Sequence, residues 1–156
     1  MPRRPASDRA QWLLLDRQLC FALYSASLAM TRFYKPLLDP LGLTYPQYLV
    51  MLVLWEGDAI GVGQLGERLR LDSGTLTPLL KRLEGAGLVQ RRRDPGDERR
   101  VSVALSPAGR ALKARAQGIP EQIACSSGCS LEELAALTAR LQSLRDQILE
   151  STPGAA

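Results

Sequence analysis

The chain has 156 residues, 46% hydrophobic and 23% charged, a balance that suits one folded domain with helical extensions and excludes a disordered chain. It holds no histidine and only three cysteines, Cys20, Cys125 and Cys129. That removes imidazole catalysis, a disulfide framework and a four-thiolate zinc site together, so neither a metal nor a cofactor is expected.

The formal net charge of +4 suits a polyanionic partner without specifying one. The apolar run Tyr48 to Trp55 is too short to cross a hydrocarbon core, and the polar, basic start lacks a signal-peptide core. A cytoplasmic protein with no membrane partner is expected.

From Trp12 to Leu38, the apolar residues Leu15, Leu19, Leu23, Ala26, Met30 and Phe33 recur at spacings of three and four, which predicts one long helix with a buried face. Asp39, Pro40 and Gly42 should end it. Thr44 and Gln47 then form a capping-box pair that opens a second helix through Trp55. Two shorter helices follow, Val62 to Leu69 and Ser73 to Gly85, with Asp72 as the N-cap of the second; together they read as a helix-turn-helix. Val101, Val103 and Leu105 alternate with Ser102 and Ala104, so two strands around a Pro95-Gly96 turn predict a hairpin, or wing.

Ser106 and Pro107 open another helix, in which Leu112, Ala116, Ile119 and Ile123 share a face, with a bend at Gly118 and Pro120. Ser126 to Gly128 should interrupt it. Ser130 and Glu133 form a further capping box, and Leu134, Leu137, Leu141, Leu144 and Ile148 follow the 3,4 spacing of a coiled-coil seam. That seam packs either within its own subunit or against a second copy. A homodimer built from both ends would leave the centre free. The fold class is therefore mainly α with a small β-hairpin: a single winged-helix domain over 1–156. Dimerisation helices occupy about 10–40 and 107–150, and a DNA-binding winged helix-turn-helix about 44–105.

In the segment from Asp72 to Glu84, Leu76, Leu79, Leu80 and Leu83 form the buried stripe. Ser73, Thr75, Thr77, Pro78, Lys81 and Arg82 are left on a polar, basic face. Hydroxyls, a helix N-terminus and basic side chains can bind phosphates and base edges, although an ordinary solvated face has the same composition. Pro78 breaks a local rule at a cost of about 3 kcal/mol, which points to function. The wing adds Arg91, Arg92, Arg93, Arg99 and Arg100. A candidate recognition helix followed at once by an arginine-rich hairpin is more specific for double-stranded DNA than either part alone.

The run Val62 to Leu105, which includes LDSGTLTPLLKRLEGAGLVQRRRDPGDERRVSVAL, resembles the winged-helix core of the multiple-antibiotic-resistance regulator family, where DPxDxR marks the wing. The resemblance covers nearly the whole chain. It implies that Asp97 and Arg99 pair to brace the wing, and that the arginine reaches into the minor groove.

Read locally, Cys20 lies inside the first helix, away from a helix N-terminus, and would be a small buried hydrophobe. The block LCFALYSASLAMTRFYKPLLDPLGLTYPQY, however, resembles the organic hydroperoxide resistance subgroup of that family. The resemblance implies that Cys20 is the peroxidatic thiol, that Tyr34 and Tyr45 of the opposite subunit hydrogen-bond its sulfur, and that Tyr24 lines the same pocket. Cys125 and Cys129 flank a Ser-Ser-Gly segment suited to moving a thiol. By the two-cysteine pattern of the subgroup, Cys125 is the resolving thiol and Cys129 a substitute for it.

The implied function is that of a repressor of a pseudo-palindromic operator, released when an organic hydroperoxide drives an intersubunit Cys20–Cys125 disulfide. One rival is a repressor of the same fold released by a small phenolic or anionic ligand. Another is a DNA-binding activator. A thiol peroxidase is a rival of a different class, and it leaves the helix-turn-helix and wing unexplained.

Overall fold

A computed structural model describes residues 10–152. They fall into two compact units divided between Lys113 and Ala114. Among the described residues, no single helix is long and apolar enough to cross a membrane.

The first unit opens with a 3-10 turn, Leu15–Arg17, and then helix α1, Leu19–Leu38. Gln18 is extended (ψ 113°), so the helix starts at Leu19 and not at Trp12 as its periodicity suggests. Nor is its apolar face buried among the described residues. Leu15, Leu19, Leu23, Ala26 and Met30 are exposed and Phe33 is half-buried, leaving Leu38 as the buried residue of α1. Periodicity identifies an apolar stripe; it does not say what covers it.

A 3-10 turn, Asp39–Leu41, leads through Gly42 in the left-handed region to helix α2, Tyr45–Glu56. The expected capping box is formed: Gln47 N–H donates to Thr44 Oγ1, and Thr44 N–H to Gln47 Oε1 at 2.9 Å. Helix α2 is the centre of the unit, burying Tyr48, Val50, Met51, Val53 and Leu54. Strand β1 (Ile60–Gly61) leads into α3 (Val62–Leu69) and α4 (Ser73–Gly85), both helices as the sequence predicts. Leu65, Leu76, Leu79, Leu80 and Leu83 complete the core on this side. Strands β2 (Val89–Asp94) and β3 (Asp97–Leu105) form the hairpin, and β1 adds to the other edge of β3 in an antiparallel sheet ordered β1-β3-β2. The sequence predicts the hairpin but not β1, which is too short for an alternation to register.

Helix α5, Pro107–Ala116, is tied to the base of the wing by a compact set of bonds. Ser106 N–H donates to Leu88 O at 3.0 Å, Ser106 Oγ donates to Gly87 O at 2.6 Å, and Gly109 N–H donates to Ser106 Oγ at 3.0 Å. Gly109 carries no side chain because the Leu88 carbonyl leaves no room for one. A Cβ there would overlap Leu88 O.

In the second unit, α6 (Ile119–Ser127) and α7 (Leu131–Ser151) are separated by Gly128 in the left-handed region, φ 68°. The expected face of Leu112, Ala116, Ile119 and Ile123 is buried, and the helical run does break at Gly118. The interruption expected over Ser126 to Gly128 is narrower: the helix continues through Ser127 and stops where Gly128 takes the left-handed conformation. The Ser130–Glu133 capping box opens α7 as expected, yet α7 buries none of its residues. Leu137, Leu141 and Ile148 are exposed and Leu134 and Leu144 half-buried, so the leucine seam is not buried among the described residues.

Replacing Gly109 by Ala should destabilise the protein by about 3 kcal/mol, since two backbones must separate to admit the methyl group. Gly63 lies in α3 with open space where a Cβ would stand, so Gly63→Ala should be neutral or stabilising by up to about 1 kcal/mol. Thermal and urea unfolding of the two variants checks the contrast.

Candidate nucleic-acid interface and thiol site

Helix α4 is fixed at its start by Asp72, whose Oδ1 accepts from Thr75 N–H at 2.8 Å and whose Oδ2 accepts from Thr75 Oγ1 at 3.3 Å. These bonds from the Thr75 backbone and hydroxyl hold the Asp72 carboxyl below its ordinary range. Upstream, Arg70 takes a left-handed conformation (φ 54°) and Leu71 N–H donates to Gly66 O at 3.0 Å, which closes the turn between α3 and α4. With the leucine stripe buried, Ser73, Thr75, Thr77, Pro78, Lys81 and Arg82 are all exposed on one continuous helix surface. The hydroxyl of Thr75 is engaged by the cap; those of Ser73 and Thr77 are not.

The wing turns through Pro95 and Gly96, with Gly96 N–H donating to Asp94 Oδ1 at 2.8 Å. The expected Asp97–Arg99 ion pair takes another form. Asp97 Oδ1 accepts from the Arg99 backbone N–H at 3.0 Å, and its other oxygen lies 3.7 Å from Arg100 Nε. An aspartate opening a strand reaches the amide two residues on more easily than that residue's outward-pointing side chain. The Arg99 guanidinium is consequently without an ion-pair partner among the described residues, exposed near the tip of the wing.

Arg91, expected among the DNA contacts, is occupied. Its Nε and Nη2 both lie 2.9 Å from Glu84 Oε2, and its backbone N–H donates to Glu84 Oε1 at 3.2 Å. The Arg91 backbone and side-chain donors hold the Glu84 carboxyl below its ordinary range. Glu84 is not legible as a functional residue in the sequence, because its partner is seven positions away on a different element.

A second brace is equally hidden there. Asp58, in the turn after α2, accepts from Leu105 N–H at 2.7 Å, Ala59 N–H at 2.8 Å and Arg110 Nη2 at 2.8 Å. Partial burial pushes its carboxyl up, but the bonds from Leu105, Arg110 and Ala59 outweigh that and hold it below the ordinary aspartate range. Trp55 Nε1 donates to Gly109 O at 3.0 Å, joining the end of α2 to the same junction.

Cys20 is exposed and unbridged, and the late start of α1 places it in the first turn of that helix. This reverses the local sequence reading, which puts it inside a longer helix. First-turn amides have no intrahelical acceptor and favour negative charge nearby. Tyr24, one turn further along, is 63% exposed. Tyr34 and Tyr45 pack ring against ring, with centroids 4.8 Å apart, and both adjoin the buried Tyr48 at 5.8 and 6.4 Å. Burial, reinforced by Tyr45 and Tyr48, pushes the Tyr34 hydroxyl up to about 12; burial also raises Tyr45 and Tyr48. All three stay protonated, hence able to donate, at any physiological pH. At the helical rise of about 1.5 Å per residue, Tyr34 lies about 21 Å along α1 from Cys20 of the same chain, beyond hydrogen-bond reach.

Cys125 is exposed in the closing turn of α6, inside the helix and not in a connecting segment as expected. Cys129 is half-buried just beyond Gly128, its N–H donating to Ser127 Oγ at 3.3 Å.

The model of the MarR family matches residues 43–101, which run from the approach to α2 into the second strand of the wing. The chain is 49% identical over 134 residues to the organic hydroperoxide resistance transcriptional regulator of Bacillus subtilis, covering 86% of this chain and 91% of that one. The chain belongs to the MarR family. It is a DNA-binding transcriptional regulator with a mostly helical winged-helix fold, and the Bacillus match supports its place in the organic hydroperoxide resistance subgroup. The regulator TtmR of Methylorubrum extorquens is 52% identical over 86% of this chain and 69% of its own length. Among solved structures, reduced AbfR bound to DNA is similar with a TM-score of 0.75 and 33% identity, covering 92% of this chain and 99% of that one. AbfR, a Staphylococcus epidermidis protein, is also known with its disulfide formed; that form gives a TM-score of 0.63 at 35% identity, covering 90% and 98%.

Because the Asp58 carboxyl is depressed in the folded state, its contribution to stability is complete above the unfolded value and is lost as pH falls through the folded one. The difference in urea midpoint between wild type and Asp58→Asn should therefore be full at pH 7 and close as pH falls below about 4.

Proposed function

We propose that this MarR-family regulator is a homodimeric repressor whose reduced form holds an operator and whose oxidation by an organic hydroperoxide releases it. The observation that carries the reading is the placement of Cys20: exposed, at the start of an uncovered apolar helix face, with the chain's own donor pair Tyr34 and Tyr45 far out of reach. A second copy laid against α1 brings its tyrosines to this thiol and covers the apolar face at once. The uncovered leucine seam of α7 is a second surface for the same partner.

In this dimer, two copies of α4 enter successive major grooves of a pseudo-palindromic site, roughly 34 Å apart. Ser73, Thr77, Lys81 and Arg82 face the groove, Thr75 and Pro78 shape the same surface, and Arg99 reaches the minor groove from the wing. The Cys20 thiolate attacks one oxygen of the hydroperoxide and expels the alcohol, leaving a sulfenic acid. The Cys125 thiol of the other chain then displaces water to form a disulfide. Tyr34 and Tyr45 of the other chain donate to the reacting sulfur, and Tyr24 lines the same pocket. Cys129, half-buried, is the poorer resolving thiol. The likeness to AbfR supports this reading, because that protein is known both DNA-bound and with a disulfide formed, and the present chain resembles the DNA-bound state more.

Binding to a duplex from the protein's own upstream region, followed by fluorescence anisotropy, should weaken at least tenfold after cumene hydroperoxide and recover with dithiothreitol. Cys20→Ser should bind as wild type does and ignore peroxide. A Cys20→Ser protein that still lets go of DNA on oxidation would exclude this thiol as the sensor.

A further inference from the structure

Three consecutive arginines, Arg91 to Arg93, look equivalent in sequence, but the pleat of β2 separates them. Arg91 pairs with Val103 and Arg93 with Val101, on one face of the hairpin; Arg92 pairs with Ser102 and turns the other way, its Nη2 donating to Gln90 Oε1 at 3.2 Å. On the first face, the hairpin meets the closing turn of α4. There Glu84, Arg91, Arg93 and Val101 line a hollow of about 260 Å³.

We propose that this hollow seats a phosphate of the DNA backbone on Arg93, while Glu84 and Arg91 are clamped to each other and hold the wing at a fixed angle to α4 without touching DNA. The proposal deepens the reading of α4 and the wing as the DNA-facing surface. Three features carry it.

The carboxylate of Glu84 takes two of the three guanidinium nitrogens, Nε and Nη2, and the backbone N–H of Arg91, so the two charges are mutually satisfied and the strand is fastened to the helix at two points. Arg93 is exposed and has no ion-pair partner among the described residues. The hollow thus carries one negative and two positive charges, a net of one positive, which matches the single charge of a phosphodiester. Its volume, about 260 Å³, is enough for the phosphate with part of its hydration. The walls come from α4 and the hairpin, the two elements read as engaging the duplex.

The test is the salt dependence of DNA binding by the reduced full-length protein, measured on its upstream duplex and on a random duplex. Each phosphate that the protein neutralises steepens the slope of log K against log salt by about 0.9. Arg93→Ala should make it shallower by about that amount for each bound subunit and weaken both duplexes by the same factor. The double variant Glu84→Gln with Arg91→Met, which conserves net charge, should leave the slope unchanged and reduce the preference for the upstream duplex. An unchanged slope in Arg93→Ala, or a shallower one in the double variant, overturns the proposal. Lys81→Ala and Arg99→Ala separate the two levels of failure. If they make the slope shallower while Arg93→Ala does not, only the phosphate seat is wrong; if none of the three does, the DNA-facing reading fails with it.

Discussion

Where the turn after α4 meets the start of α5, the carbonyl of Leu88 and the Cα of Gly109 come so close that no side chain fits between them. Four elements converge on this crossing. Ser106 bonds the backbone on both sides of it, Trp55 reaches it from the end of α2, and Asp58 ties the last residue of β3 to Arg110 of α5. The hairpin is therefore anchored at its base by α2 and α5, and along its flank by the Glu84–Arg91 clamp to α4. Helix α4 and the wing behave as one reading head because of these ties, which are made by polar groups with near-complete hydrogen bonding and not by apolar packing alone.

The ends of the chain present the opposite situation. Helix α1 keeps Leu19, Leu23, Leu28 and Met30 in water, and α7 keeps Leu137, Leu141 and Ile148 there as well. Apolar surface of this extent is stabilised by burial at about 25 cal/mol per Å², and none of the described residues supplies the cover. In the proposed dimer, the sensing thiol sits on the surface that assembly buries, next to donors that only the partner can bring. Oxidation then acts on the interface that sets the separation of two rigid reading heads, so a local covalent change is felt at the operator while α4 itself is unaltered.

The reading head is largely legible from sequence because its determinants are local. Asp72 caps α4, Thr44 and Gln47 box the start of α2, Ser130 and Glu133 box α7, and a leucine stripe tells the inner from the outer face of α4. What stays hidden depends on contacts between elements or on backbone geometry without a residue cue. Nothing in Gln18 announces an extended conformation, so periodicity alone sets Cys20 within a helix when it stands at the start of one. The two serines after Cys125 suggest a connecting segment, whereas Gly128 alone ends the helix. A run of arginines does not show which of them meets a carboxylate across the fold, so Arg91 is indistinguishable from its neighbours. Asp58 and Glu84, the two braces of the wing, are invisible for the same reason.

The central claim is that the sensor is completed between two chains, with Cys20 of one joined to Cys125 of the other. Peptide mass mapping of peroxide-treated full-length protein under non-reducing conditions, read together with the mass of the intact species, tests it most directly. The account predicts a covalent dimer with Cys20–Cys125 as its linkage, abolished by reductant and absent in Cys125→Ser. A protein that stays monomeric in mass, with Cys125 joined to Cys129 in the same chain or with Cys20 unmodified, would contradict it.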